Sequence, residues 1–143
     1  MEFISRSVKD TGKFAKSLLP KLKSGNILAL SGNLGAGKTV LAKALANALG
    51  VSETVNSPTF VLMKVYDVSQ PAIKKFVHVD CYRLDQAEDL ADIGLQDYLD
   101  DPESLIVIEW AEKIKNLPAD KIINIKIESL GGDQRKITVV GLD

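Results

Sequence analysis

The chain contains one cysteine, one histidine and one tryptophan in 143 residues. A single cysteine, Cys81, excludes an intrachain disulfide, and with His78 the sole histidine there is no cluster with zinc-ligand spacing. A reducing, cytoplasmic location is the expectation. No segment approaches the roughly 18 apolar residues of a membrane span, and Met1-Glu2-Phe3-Ile4-Ser5-Arg6 has no long apolar stretch behind it, so neither secretion nor membrane insertion is expected. The net charge of -1 leaves no global basic field to drive autonomous nucleic-acid binding, so an RNA substrate would be gripped mainly by a partner. Internal repeats, low-complexity tracts and long linkers are also missing. What is present is 45% hydrophobic and 26% charged residues, enough to bury a real core, and a length that predicts one domain over residues 1–143.

Short apolar runs separated by segments of helical spacing predict an α/β fold. After a first strand near Phe3, the segment Val8 to Lys23 places Phe14, Leu18, Leu19 and Leu22 three or four residues apart, as an amphipathic helix does. Ile27-Leu28-Ala29-Leu30 is a continuous apolar run, the pattern of a strand buried on both faces. Lys38 to Leu49 is rich in Ala and Leu and ends at Gly50, a natural helix stop. Phe60 to Tyr66 and Phe76 to Val79 predict strands joined by a turn at Gln70-Pro71. Asp89 to Leu99 carries apolar residues at helical spacing but is interrupted by Gly94, and predicts a short or broken helix. Leu105-Ile106-Val107-Ile108 is the clearest strand of the second half. Ile122 to Ile127, Gly131-Gly132 and Lys136 to Val140 predict a closing antiparallel hairpin.

Between the strand ending at Leu30 and the helix starting at Lys38 lies Gly32-Asn33-Leu34-Gly35-Ala36-Gly37-Lys38-Thr39, which matches G-x-x-x-x-G-K-[ST]. Each fixed residue has a physical task. The glycines let successive backbone N–H groups converge on phosphate oxygens. Lys38 offers its ammonium to the β- and γ-phosphates, Thr39 its hydroxyl to Mg²⁺, and the helix N-terminus its positive dipole end. A chance glycine-rich turn seldom has strand, loop and helix in this order, so the segment predicts a site for ATP and Mg²⁺. No Asn-Lys-x-Asp guanine-reading segment is present; Asn116-Leu117-Pro118-Ala119-Asp120 does not match one.

Two carboxylates follow apolar strands directly: Asp80 after Val79, and Glu109 after Ile108. Ligands of open α/β sheets sit beyond the carboxyl ends of the strands, so both acids are candidates for the metal, against the plainer reading of strand-end surface acids. Ser57-Pro58-Thr59 reads either as a switch loop, whose hydroxyls approach the γ-phosphate or attacking water, or as an ordinary Ser-Pro turn. Trp110 reads as a cover for the site, a partner contact or packing. His78, inside a strand, reads as core rather than catalytic, and Cys81 as small filler.

Taken in order, the phosphate loop, Ser57-Pro58-Thr59-Phe60, His78-Val79-Asp80-Cys81-Tyr82-Arg83-Leu84 and Glu109-Trp110 resemble the bacterial tRNA threonylcarbamoyladenosine biosynthesis ATPases of the TsaE family, formerly YjeE. The resemblance covers nearly the whole chain. It implies a P-loop nucleotide-binding fold with flanking helices and a mainly parallel central sheet bearing antiparallel edge strands. It also implies weak Mg²⁺-dependent ATP hydrolysis alone, and work in a complex with TsaD and TsaB that transfers a threonylcarbamoyl group to adenosine 37 of tRNA. TsaD performs the transfer and the ATPase supports repeated turnover. The residues implied for nucleotide binding are Asn33, Leu34, Gly35, Ala36, Gly37, Lys38, Thr39 and Val40, with Ser57 and Thr59, and with Thr11 and Arg135 outside the sharp motifs. Thr39, Glu109 and Asp80 are the implied metal set, and Lys38, Asp80 and Glu109 the implied catalytic set. Departures from the family pattern are Asn33 for the common Asp, Val40 for Thr, and Val79 and Cys81 within the usual His-Phe-Asp-Leu-Tyr-Arg stretch. Asn33 lacks a negative charge beside the phosphates and so bears on nucleotide affinity and on the ease of hydrolysis.

Two other functions compete. A small-molecule kinase would need an acceptor pocket and usually a lid with arginines to stabilise the transferring phosphate; the chain has only Arg6, Arg83 and Arg135. A nucleotide-dependent binding module would use hydrolysis only as a slow timer.

Overall fold

A computed structural model describes residues 1–23, 25–33, 35–51, 63–82, 88–89, 94–115 and 117–142. Strands β1 (Glu2–Ser5), β2 (Ile27–Ser31), β3 (Met63–Asp67), β4 (Lys75–Asp80), β6 (Ser104–Glu109), β8 (Ile122–Gly131) and β9 (Gln134–Val140) form a sheet; β5 (Glu88–Asp89) and β7 (Ile114–Lys115) form a separate two-stranded ribbon. The helices are α1 (Val8–Leu18), α2 (Lys38–Ala48) and the short α3 (Gln96–Leu99). In the sheet the order is β1-β9-β8-β2-β6-β4-β3. The inner pairs β8/β2, β2/β6 and β6/β4 are parallel, and the outer pairs β1/β9, β9/β8 and β3/β4 antiparallel. This is the mainly parallel sheet with antiparallel margins that the sequence resemblance implies.

The parallel centre explains the apolar runs. A strand flanked on both edges and covered on both faces has no solvent side on which to place polar residues, and β6 is buried along its whole length. On one face Leu28, Leu30, Phe76, Leu105, Val107 and Ile125 pack against α1 and α2. On the other, Ile27, Val77, Val79, Ile106 and Ile108 pack with Leu95, Leu99 and Ile114. Each fully buried Leu or Ile contributes about 1.5–3 kcal/mol.

Helix α1 starts where Ser7 accepts the Asp10 N–H at 3.1 Å while the Asp10 carboxylate accepts the Arg6 N–H at 3.0 Å, so two otherwise orphaned donors are satisfied reciprocally. It buries Thr11, Phe14, Ala15 and Leu18, one stripe at helical spacing. The helix is shorter than the apolar spacing to Lys23 predicts. Pro20 lies in a 3-10 turn, Leu19–Lys21, because a proline ring clashes with the carbonyl four residues back and supplies no N–H. Helix α2 ends as predicted: Gly50 has φ 86°, and the Val51 N–H reaches the Ala46 carbonyl at 3.0 Å.

The segment Asp89 to Leu99 is helical only over Gln96–Leu99, after Gly94 with φ 79°. Among its described residues, Asp89 lies in β5 instead. Strand β3 begins at Met63, and Phe60 lies outside the described residues, as do Leu34, Ser57 and Thr59. No helix among the described residues is long and apolar enough to cross a membrane.

Candidate functional site

Three parallel strands end at one edge of the sheet. β2 delivers the phosphate loop, β6 delivers Glu109 and β4 delivers Asp80; in register, Glu109 stands opposite Leu30 on one side and Asp80 on the other. This is the edge at which open α/β sheets bind ligands. Because side chains alternate along a strand, Phe76, His78 and Asp80 share a face of β4, and Leu105, Val107 and Glu109 share a face of β6. Phe76, Leu105 and Val107 belong to the core layer under α2, so Glu109 and Asp80 also lie on the side of the sheet from which α2 rises.

Lys38 and Thr39 open α2. Gly37 is its N-cap, with φ 110° and no side chain to satisfy the free N–H groups of the first turn. The Lys38 ammonium is buried, donates to the Gly32 carbonyl at 2.6 Å, and lies 3.9 Å from the centre of the Trp110 ring. The Thr39 hydroxyl donates to Glu109 at 3.1 Å to Oε1 and 3.4 Å to Oε2. Glu109 is only 3% exposed, and its Oε2 lies 2.6 Å from His78 Nε2. A buried carboxylate is stable only when its lone pairs are occupied in this way.

Asp80 is partly exposed and accepts the Tyr82 N–H at 3.0 Å. Its carboxyl titrates above the ordinary 3.8, first because partial burial penalises the charged form, with Glu109 adding like-charge repulsion and the Tyr82 N–H opposing the shift. Linkage gives a pH test in the ligand-free protein. The folded state holds the Asp80 proton more tightly than the unfolded state, so stability falls as pH rises from 3.8 through the raised value, and the deficit is complete above it. Asp80→Asn keeps an acceptor for Tyr82 and removes the ionisation. Its melting temperature relative to wild type is therefore expected to rise between pH 4 and pH 7.5; a difference that stays constant or shrinks would count against a raised pKa.

Trp110 follows Glu109 with φ 61°, a left-handed conformation costing a bulky side chain about 1–3 kcal/mol. The turn aims the indole back over the site, where it lies between Lys38 and Tyr82, the two rings 5.5 Å apart. The geometry matches two of the three readings of Trp110: the ring covers the Lys38 ammonium, and it packs half-buried against the core layer that contains Val79 and Ile108. Cys81 is fully buried, and burial pushes its thiol up to about 12, so it is an unreactive neutral thiol.

Thr11 and Arg135 lie on the opposite side of the loop, in a pocket shared with Val40, Asp133 and Ile137. Thr11 is held by a 2.8 Å hydrogen bond to Ser5, and Arg135 Nε donates to the Ala36 carbonyl at 2.8 Å, tying the last hairpin to the phosphate loop. Asn33 is exposed, and its carbonyl accepts the Ala36 N–H at 2.9 Å. The structure therefore brings Lys38, Thr39, Asp80 and Glu109 together, and sets Thr11, Val40 and Arg135 in an adjoining pocket. Sequence reasoning placed His78 in the core, where it is, but missed its contact with Glu109. The available signal was the two-residue spacing that puts His78 on the same strand face as Asp80.

A match to the TsaE family, "Threonylcarbamoyl adenosine biosynthesis protein TsaE", spans residues 5–137. The chain belongs to the TsaE family. It is similar to the tRNA threonylcarbamoyladenosine biosynthesis protein TsaE of Treponema pallidum, 36% identical over 97% of this chain and 99% of that protein. The protein of the same name from Streptomyces coelicolor is 39% identical over 91% of this chain and 89% of its own length. The fold matches the crystal structure of Bacillus subtilis YdiB with a TM-score of 0.77 and 28% identity, covering all of this chain and 86% of that one.

Proposed function

We propose that the chain is a Mg²⁺-dependent ATP hydrolase, weak alone, that supports repeated rounds of N6-threonylcarbamoyladenosine formation at position 37 of tRNA in a cytoplasmic complex with TsaD and TsaB. The observation that carries this reading is the convergence of the Lys38 ammonium, the Thr39 hydroxyl and the Glu109 carboxylate at the uncapped N-terminus of α2.

The donor set fits the groups it would hold. An uncapped helix N-terminus and a buried ammonium suit a triphosphate. A hydroxyl with one or two carboxylates suits Mg²⁺, which takes its remaining ligands from phosphate oxygens and water. Thr39 and Glu109 would hold the metal, with Asp80 supporting it or the attacking water. Bound there, Mg²⁺ would neutralise charge on the phosphates. Lys38 exchanges the Gly32 carbonyl for phosphate oxygens, and Trp110 shields that ion pair from water, which strengthens it. Thr11, Val40 and Arg135 line the space left for the rest of the nucleotide, while Ser57 and Thr59 are assigned to the γ-phosphate side by the switch-loop reading of Ser57-Pro58-Thr59. In the reaction a water oxygen bonds to the γ-phosphorus, the bond to the bridging oxygen breaks, and the water proton passes to an acceptor such as Asp80 or to solvent.

The test is ATP hydrolysis by the chain alone, with TsaD and TsaB, and with both plus tRNA, using Lys38→Ala as the blank. Partners are expected to raise the rate, and multiple-round tRNA modification to track it. Hydrolysis and modification that are indifferent to this chain would overturn the reading and direct attention to phosphoryl transfer onto a small acceptor.

A further inference from the structure

His78 is completely buried in the middle of β4, on the same face as Phe76 and beside Leu105 and Val107 of β6. A Leu or Phe at this position would bury no polar atom of its own, but it would leave Glu109 Oε2 without the imidazole donor. Among the described residues the imidazole instead makes one polar contact, 2.6 Å from Nε2 to Glu109 Oε2, and Nδ1 has no hydrogen-bond partner. A carboxylate accepts, so the Nε2–H donates, and the tautomer is fixed by that bond. Among the described residues, the hydrogen bonding of this side chain is therefore directed at Glu109. The register explains the reach: His78 stands opposite Val107, two residues before the Asp80–Glu109 pair, and so lies diagonally behind the Glu109 side chain.

We infer that His78 is a positioning residue which fixes the orientation of the Glu109 carboxylate towards Thr39 and the metal side of the site. The inference rests on the proposed Mg²⁺-ATP reading. The last torsion of a glutamate is broad, so the carboxylate is not oriented by its own rotamer. A donor held behind Oε2 selects one setting, in which Oε1 meets the Thr39 hydroxyl at 3.1 Å. Partners of metal-binding side chains matter at this level, and removing one typically weakens metal binding about 10–100-fold.

The experiment measures calorimetric affinity for a non-hydrolysable ATP analogue in EDTA and across a Mg²⁺ titration, for wild type, His78→Leu, His78→Gln and His78→Asn, with melting temperatures alongside. His78→Leu is expected to raise the Mg²⁺ concentration needed for half-maximal tightening by about tenfold or more, with metal-free affinity unchanged. Glutamine carries an amide nitrogen near the position of Nε2 and should restore the wild-type requirement, whereas the shorter asparagine should not. If the Leu variant does not fold, the Gln and Asn pair decides. Lower melting temperatures with an unchanged Mg²⁺ requirement, or equal requirements in the Gln and Asn variants, would show His78 to be structural only and overturn the inference. A wild-type affinity that ignores Mg²⁺ would overturn both this inference and the functional reading beneath it; a response to Mg²⁺ that the variants share would overturn this inference alone.

Discussion

Glu109→Gln is expected to lower ATP turnover by about 10²–10³-fold, the usual scale for removing one preorganised electrostatic group from a site, while nucleotide affinity in EDTA stays close to wild type. Glutamine conserves the volume that β6 and α2 enclose, so the phosphate loop keeps its shape. What changes is the balance of donors and acceptors. Glu109 accepts from Thr39 and lies within hydrogen-bond reach of His78; an amide has one oxygen, so one of these donors meets an NH₂ group. The negative charge that would draw Mg²⁺ to Thr39 is also gone. The fold should survive, because replacing a buried carboxylate by a neutral isostere removes a desolvation cost as well as an interaction. Steady-state hydrolysis, nucleotide titration and tRNA modification on one preparation separate the cases. Turnover within a few-fold of wild type would remove Glu109 from the chemistry. Modification that continues through many rounds without hydrolysis would make this chain a nucleotide-dependent binding module.

The parts of the fold legible from sequence were those in which local chemistry and global position agree. Ile27 to Leu30 has the pattern of a doubly covered strand, the glycines and Lys38 that follow constrain one another, and Gly131-Gly132 between two apolar stretches specified a hairpin, with both glycines at positive φ. Helix α1 was overextended because its apolar spacing continues past Pro20, and the backbone consequence of proline outweighed the pattern. The site was legible residue by residue but not as contacts. That Asp80 and Glu109 end parallel strands follows from the runs before them. That His78 reaches Glu109 depends on the β4/β6 register, with His78 opposite Val107, and neither strand's own sequence carries that pairing. The left-handed turn at Trp110 was equally hidden, since its sequence signal would be glycine or asparagine.

Gly32→Ala is expected to be the most damaging single-methyl change in the chain. A Cβ at this position would overlap the Ile127 carbonyl oxygen and sit 3.3 Å from the Ala36 Cβ, and Gly32 has φ 148°, where side chains are strained in any case. The obstructing atom is backbone in β8, paired with β2 through Ser31 opposite Lys126, so it cannot rotate aside as a side chain would. The loop must move instead, and the Gly32 carbonyl that holds Lys38 at 2.6 Å moves with it. Strain and overpacking together suggest a loss of about 2–5 kcal/mol. That corresponds to a melting temperature lower by about 6 °C or more for a chain of this size, and nucleotide affinity should fall at least about tenfold because the buried ammonium is displaced. Gly12→Ala is the control. It lies inside α1 with nothing within 4 Å of the added methyl, and should stabilise the protein by about 0.5–1 kcal/mol. If the two substitutions behave alike in melting and in nucleotide binding, the close approach of the phosphate loop to β8 is not what fixes Lys38 in place.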